Sequence, residues 1–285
     1  MNNKLLISVF LLGIAMLCPL VASDLSQTSV DIGNVAPTVG TVTVSPSPIV
    51  IAENSTVNVT CWAWVNDTNG WEDIETANGV LYQNKTTSAC GADPVNCYTN
   101  ATCSHAGGSG NIVNTSCKFT VQFYAQSTID EGTWKCYIHV IDNGTSNANN
   151  QKNVSVSDTL ALAVTSDINF GSMIVGEISL SDKIAIVTNT GNVRIDVNLN
   201  GTNMTCDVLG NILPGYIHYN DTAAQAWSTG CPLTTDPANT YATFKTTFDL
   251  AEGAVATKNS YWRLSVPTGV SGTCDGLVTF EAVKG

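Results

Sequence analysis

Positive charge is scarce in this 285-residue chain: 11 Lys and Arg stand against 23 Asp and Glu, a formal net charge of −12. The isoelectric point is near 4.4. Such a chain repels phosphate backbones and anionic membrane surfaces, which argues against nucleic acid as a partner and leaves metal cations compatible. Charge of either sign is thin, at 12% of residues against ~25% in ordinary soluble domains. Signatures of chemistry are missing too. No C-x-x-C, H-E-x-x-H or C-x-x-C-H spacing marks zinc or haem. There is no G-x-S-x-G elbow, and His105, His139 and His218 have no nucleophile motif nearby. The expectation is a protein that is not an enzyme and requires no cofactor. After the first residues no stretch keeps a 3.6-residue apolar period for three turns, which argues against long helices. No second long apolar run appears before Gly285, and the tail TFEAVKG is neither a lipid-anchor signal nor a span.

What is present begins with an export signal over residues 1–23. Lys4 supplies a positive start, Leu5 to Leu17 an apolar run, and Val21-Ala22-Ser23 small residues for cleavage. The rival reading is an uncleaved anchor, because Leu5 to Val21 approaches the short end of a membrane span. Lipid attachment at Cys18 is disfavoured by Met16-Leu17 before it. Either reading places the remainder outside the cell, secreted or at the surface. The remaining length suits two domains, and 44% hydrophobic residues suffice for two cores.

Nine cysteines follow residue 23, six between Cys61 and Cys136 and three between Cys206 and Cys274. In an exported chain these are disulfide candidates. Eleven N-x-S/T sequons stand at Asn54, Asn58, Asn66, Asn84, Asn100, Asn114, Asn143, Asn153, Asn200, Asn203 and Asn220. That is about twice the chance number. A glycan coat would hydrate a surface with so few charges.

Period-two alternation dominates. Val57, Val59, Cys61, Ala63 and Val65 share one face, with Asn58, Thr60, Trp62 and Trp64 on the other. Trp134, Cys136, Ile138 and Val140 alternate with Lys135, Tyr137 and His139. Both Cys61 and Cys136 therefore point into a core. Further strands are expected over Val39–Val44, Val80–Tyr82, Cys117–Tyr124 and Val154–Leu162, with Cys90 to Gly110 as a cysteine-stapled excursion. Later, Val193, Ile195, Val197 and Leu199 face in while Arg194, Asp196, Asn198 and Asn200 face out. The fold class is all-β, two consecutive β-sandwiches over 35–158 and 159–285, joined near Ser157-Asp158, with one strand conceivably running through.

The run Asp130-Glu131-Gly132-Thr133-Trp134-Lys135-Cys136 resembles the D-x-G-x-Y-x-C motif of the immunoglobulin-like fold, with Trp134 in place of Tyr. That resemblance implies that Cys136 lies on strand F and pairs with Cys61 on strand B. The Trp places the usual tyrosine corner in question. Ala36-Pro37-Thr38 together with Val65-x-Asp67-x-Asn69-Gly70-Trp71-x-Asp73-Ile74 is similar to Ig-like and PKD-like modules of archaeal and bacterial surface proteins. In the second half, Ile168-Asn169-Phe170-Gly171, Val175-Gly176 and Asn189-Thr190-Gly191-Asn192 resemble turns of ASH-like and TasA-like extracellular sandwiches, and Trp262–Pro267 with Ser271–Gly276 resemble their closing strands. These likenesses imply adhesion or envelope architecture, including a layer or filament subunit.

For the other cysteines, Cys90–Cys97 with Cys103–Cys117 is one of three pairings of four. Cys206–Cys231 is favoured over Cys206–Cys274, which would leave Cys274 as a thiol or an intersubunit link. Asp67, Asn69 and Asp73 place hard oxygen donors across a glycine turn, and an Ig-like layout brings Asp142 beside them, so a structural calcium is the candidate ligand. The competing reading is a pair of ordinary Asx turns. Trp62 and Trp64 form a candidate binding patch for sugars or a protein. Expected partners are further copies of the chain, envelope proteins and glycans.

Overall fold

The computed structural model describes residues 26–128, 132–165, 167–253 and 255–285. The signal segment, Cys18, and Asp130-Glu131 of the Ig-like motif lie outside the described residues. The chain divides into Met1–Gly33 and Asn34–Gly285. Of the first unit, residues 26–33 are exposed and lack regular structure.

The second unit is built of antiparallel sheets. Its first nine strands are β1 (Thr38–Val39), β2 (Thr43–Ser45), β3 (Thr56–Asn66), β4 (Ile74–Gln83), β5 (Cys97–Asn100), β6 (Ser104–Ser109), β7 (Ile112–Gln122), β8 (Trp134–Asp142) and β9 (Asn147–Val154). One sheet runs β1-β3-β7-β6 with β2 also on β3; the other runs β5-β4-β8-β9. β3 and β8 alternate buried and open positions along their lengths, as their β-branched and aromatic patterns dictate. Their inner faces meet in one core containing Val59, Cys61, Val121, Trp134, Cys136 and Ile138. The expected strand over Val39–Val44 is broken after Gly40: the Gly40 amide still donates in register to the Trp64 carbonyl at 2.8 Å, but pairing with β3 resumes at Thr43 with Trp62, shifted by one residue.

Cys61–Cys136 staples β3 to β8 across this core. Closing a loop of sequence separation 75 contributes about 4 kcal/mol in the chain-entropy account. Cys103–Cys117 lies beside it, and Cys90–Cys97 ties the excursion that covers the outer side of β4. Gly79 on β4 faces the Cys103–Cys117 bridge: a Cβ there would sit 2.6 Å from Cys117 Sγ. The indole N–H of the fully buried Trp134 donates to the Gln126 carbonyl at 2.8 Å. It thus makes the upstream backbone bond that the phenol supplies in the Tyr motif.

The remaining strands are β10 (Leu162–Val164), β11 (Lys183–Asn189), β12 (Ile195–Gly201), β13 (Met204–Cys206), β14 (Asn211–Ile212), β15 (Ile217–Asn220), β16 (Cys231–Pro232), β17 (Asp249–Leu250), β18 (Thr257–Leu264), β19 (Cys274–Asp275) and β20 (Val278–Lys284). They form sheets β10-β11-β18-β15-β16, β17-β12-β20 and β14-β13-β19, with a short α-helix, α1 (Ala242–Thr247), and three 3-10 turns among the described residues. β12 buries Ile195, Val197 and Leu199 against Trp262, Tyr219 and Phe248, as its alternation predicts. The disulfide is Cys206–Cys274, not Cys206–Cys231. Cys206 and Cys274 are register partners on β13 and β19, whereas Cys231 sits on β16 in another sheet. Cys231 lies outside the four disulfides, whereas Cys274, expected outside them, is bonded to Cys206.

The named strands of residues 38–154 pair among themselves, as do those of 162–284. No single strand spans Val154–Leu162: β9 stops at Val154, and Val156 bridges Ile49 instead. The connection is fixed by side chains of the Asn189-Thr190-Gly191-Asn192 turn. Asn192 accepts the Thr159 amide at 2.6 Å and donates to the Ser157 carbonyl at 2.9 Å. Thr159 Oγ1 donates to the Ile51 carbonyl, and the Asn54 amide to that of Thr190.

Candidate metal centre

β3 ends at Asn66, and the chain turns through Asp67-Thr68-Asn69-Gly70 into a 3-10 turn, Trp71–Asp73, before β4. Gly70 takes φ 119°, a conformation that an L side chain resists. β8 ends at Asp142, and Asn143-Gly144-Thr145 carries the chain to β9. Because β3 and β8 are stapled across the core, these two turns close one end of the sandwich. Asp67, Asp73 and Asp142 meet there, each offering a carboxylate oxygen within 4.8 Å of the others. Asp67 and Asp142 are fully buried.

The hydrogen bonds show how the group is held. Asp67 Oδ1 accepts the Asn69 amide at 2.8 Å. Asp142 Oδ1 accepts the Ser146 amide at 2.8 Å, and its Oδ2 accepts from Asn34 Nδ2 at 2.9 Å. Asn143 Nδ2 donates to Asp73 Oδ1 at 3.3 Å, and the Asn143 amide to the Asp73 carbonyl at 2.9 Å. Asp67 Oδ2 and Asp73 Oδ2 are buried without a hydrogen-bond partner. Among the described residues no Lys, Arg or His pairs with any of the three. Two carboxylates at such a separation repel by about 3 kcal/mol at an effective dielectric of ~20. Ordinary Asx turns account for Asp67 Oδ1 and Asp142 Oδ1, but not for buried acceptors facing like charge without a donor. A hard divalent cation would supply what is missing.

Asn69, an expected ligand, also makes a structural contact. Its Oδ1 accepts the Val35 amide at 2.8 Å, tying the lead-in to β1 against the turn. Asn34, which bridges Asp142 and Ser146, carries no sequence signal: it is an isolated Asn ahead of a two-residue strand.

The other expected sites are dispersed. Trp64 is half exposed and Trp62 less so, both on the outward face of β3. None of the eleven sequon asparagines is buried. The histidines do not converge. His105 Nδ1 lies 2.9 Å from Thr115 Oγ1, and His139 stacks near Tyr137. His218 stacks on Trp227 with centroids 3.8 Å apart. Burial pushes the His105 and His218 imidazoles below their ordinary range, partly offset at His218 by the Trp227 and Gly215 carbonyls.

No family model matches the chain, and no curated protein does. Among solved structures, a red sea bream transglutaminase is 13% identical over 85% of this chain and 29% of its own, with a TM-score of 0.25. An Escherichia coli alpha-2-macroglobulin is 12% identical over 87% and 17%, TM-score 0.25. A mutant Salmonella alpha-2-macroglobulin is 11% identical over 85% and 16%, TM-score 0.26. The chain thus spans less than a third of the length of these proteins, and likeness at this level carries no argument about its activity. Four disulfides fit an oxidising compartment. Among the described residues no helix is long and apolar enough to cross a membrane.

Proposed function

We propose that this chain is a non-enzymatic structural or adhesive protein of a cell surface. It is exported by its first 23 residues, glycosylated on open sequons, and built as an Ig-like sandwich followed by a second. A calcium ion held by Asp67, Asp73 and Asp142 braces the first sandwich. The observation that carries this reading is the buried oxygen of Asp67, which faces two further carboxylates with no donor. The ion would tie the end of β3 to the end of β8 and, through Asn34, the lead-in to β1. Calcium at the millimolar levels of extracellular fluids suits a weak, rigid, all-oxygen site. Scattered histidines and the scarcity of charge fit a scaffold rather than a catalyst.

Thermal melting tests it. The melting temperature should rise on moving from chelator to millimolar calcium, and a melt indifferent to calcium defeats the reading. Its assembly component, copies of the chain joining in a layer or filament, is read by light scattering at millimolar calcium under oxidising conditions. A strict monomer there rules assembly out. The competing reading, a secreted carbohydrate- or protein-binding module, draws on the half-exposed Trp64. A glycan array on which no signal depends on Trp62 or Trp64 removes its carbohydrate version.

A further inference from the structure

The outward face of β3 and β7 sets an aromatic ring and a glycosylation signal side by side. Trp64 is 50% exposed. Its register partner on β7 is Asn114, which opens the sequon Asn114-Thr115-Ser116. Both residues occupy the outward set of their alternating strands. Directly paired residues in an antiparallel ladder hold their Cβ atoms ~4.5–5.5 Å apart. The next residue in that row, on β6, is the exposed Ala106, whose methyl leaves the far side of Asn114 open. Two more sequon residues, Asn58 and Asn66, share this face of β3. Lys118 is the one charged residue among the outward positions of β3 and β7.

We infer that Asn114 carries a saccharide whose first ring lies on the indole of Trp64, so that the sheet's exposed aromatic face is covered by the protein's own glycan. This rests on the reading above that sequons are used. The attachment forms the bond from Asn114 Nδ2 to the sugar's anomeric carbon. The bond from that carbon to a lipid diphosphate breaks, and the amide proton leaves with the diphosphate. The donor and its membrane transferase belong to the export route. A pyranose has an apolar C–H face, and indole offers a broad apolar surface with negative charge on its face. Tethering one strand away gives the sugar an effective concentration in the millimolar range or above, so a weak intrinsic contact suffices. The geometry explains why an exposed Trp sits opposite an Asn in a sequon. A half-exposed indole would otherwise invite association between copies.

The test uses the full chain secreted from a eukaryotic host that N-glycosylates, trimmed enzymatically to one N-acetylglucosamine per occupied site. Mass spectrometry maps occupancy, and NMR reads the sugar protons. The expected result is an occupied Asn114 whose sugar protons are shifted upfield from those on Asn58, with the shift lost and occupancy kept in Trp64→Ala. Asn114→Gln should increase quenching of tryptophan fluorescence by iodide, a readout that survives if Trp64→Ala folds poorly. An unoccupied Asn114 beside other occupied sequons overturns this inference alone, as does a sugar whose shifts ignore Trp64. Occupancy at no sequon overturns the glycoprotein reading and this inference with it. A Trp64 signal that responds to added free oligosaccharide while the Asn114 sugar is unshifted assigns the face to an external ligand instead.

Discussion

Two buried polar clusters sit at opposite ends of β3 and β9, and they are built from different chemistry. At the start of β3 and the end of β9 lies the joint, where Asn189 and Asn192 are each 1% exposed. Asn189 Nδ2 donates to the Val193 and Ala251 carbonyls while Oδ1 accepts the Gly191 amide. Asn192 likewise donates and accepts on the connection itself. The one orphan there is the hydroxyl of Thr190, a neutral group. At the other end Asp67, Asp73 and Asp142 can only accept, and two of their buried oxygens find no donor. A carboxamide carries both halves of a hydrogen bond and can close on backbone. A carboxylate cannot, which is why the proposed cation belongs to this cluster, with Asp67 and Asp142 buried and Asp73 partly so. Burial and polarity alone therefore do not mark a ligand site; the proposed calcium site rests on uncompensated charge.

Breaking the staple should separate the two ends most strongly. Replacing Cys61 and Cys136 together by Ala should lower stability by about 4 kcal/mol, measured by denaturant unfolding. It should weaken calcium binding as well, because the bridge aligns the strands that deliver Asp67 and Asp142. The amide of Thr159 in the joint should keep its hydrogen-exchange protection relative to global unfolding.

Next in size is calcium itself. At a hundredfold excess over Kd it adds ~2.7 kcal/mol, a rise in Tm of roughly 5–11 °C at ~2–4 °C per kcal/mol. Asp67→Asn should abolish that rise, and in chelator should be neutral or stabilising.

At the joint, Asn192→Ala strands the Thr159 amide and the Ser157 carbonyl, which costs roughly 1–3 kcal/mol with or without calcium. Asn192→Asp restores the acceptor but points a charge at that carbonyl, and should not rescue. The effects of Asp67→Asn and Asn192→Ala should add within ~0.5 kcal/mol, being distant. A larger coupling energy would merge the two ends into one cooperative cluster.

The smallest expected effect is that of acid. Burial holds His105 and His218 low. At Asp158 burial pushes upward, but the Ser127 hydroxyl and the Lys284 ammonium outweigh it and hold the carboxyl below its usual range. In each case the unfolded chain binds protons that the folded one resists. Stability is thus fully present above the unfolded-state values and falls as pH drops, first below ~6.5 for the imidazoles and then below ~3.9 for the carboxylate. Melts across this range with calcium chelated should show the decline, and His218→Gln should flatten its first part.

Much of this was legible because a strand's two faces follow from alternation. The inward sets of β3, β8 and β12 read directly from their residues, and so did Asp67 and Asp73, whose short spacing and turn glycine are local; Asp142 followed only from the Ig-like resemblance. Asn34 and the clasp of Asn192 on the connection depend on contacts across more than 30 residues and leave no local trace. The same limit misdirected the second-half disulfide. Cys231 is nearer Cys206 in sequence, but β19 returns Cys274 to the position beside Cys206 on β13. The contact of Asn69 Oδ1 with the Val35 amide spans 34 residues and was likewise not readable.

Isothermal titration of the full chain with calcium, after chelator treatment, tests the central claim most directly. The account predicts one site per chain in wild type, with the heat lost in Asp67→Asn and Asp142→Asn and retained in Asn192→Ala. Calcium heat of the same size in the Asp67→Asn and wild-type proteins, or none in either, would contradict it.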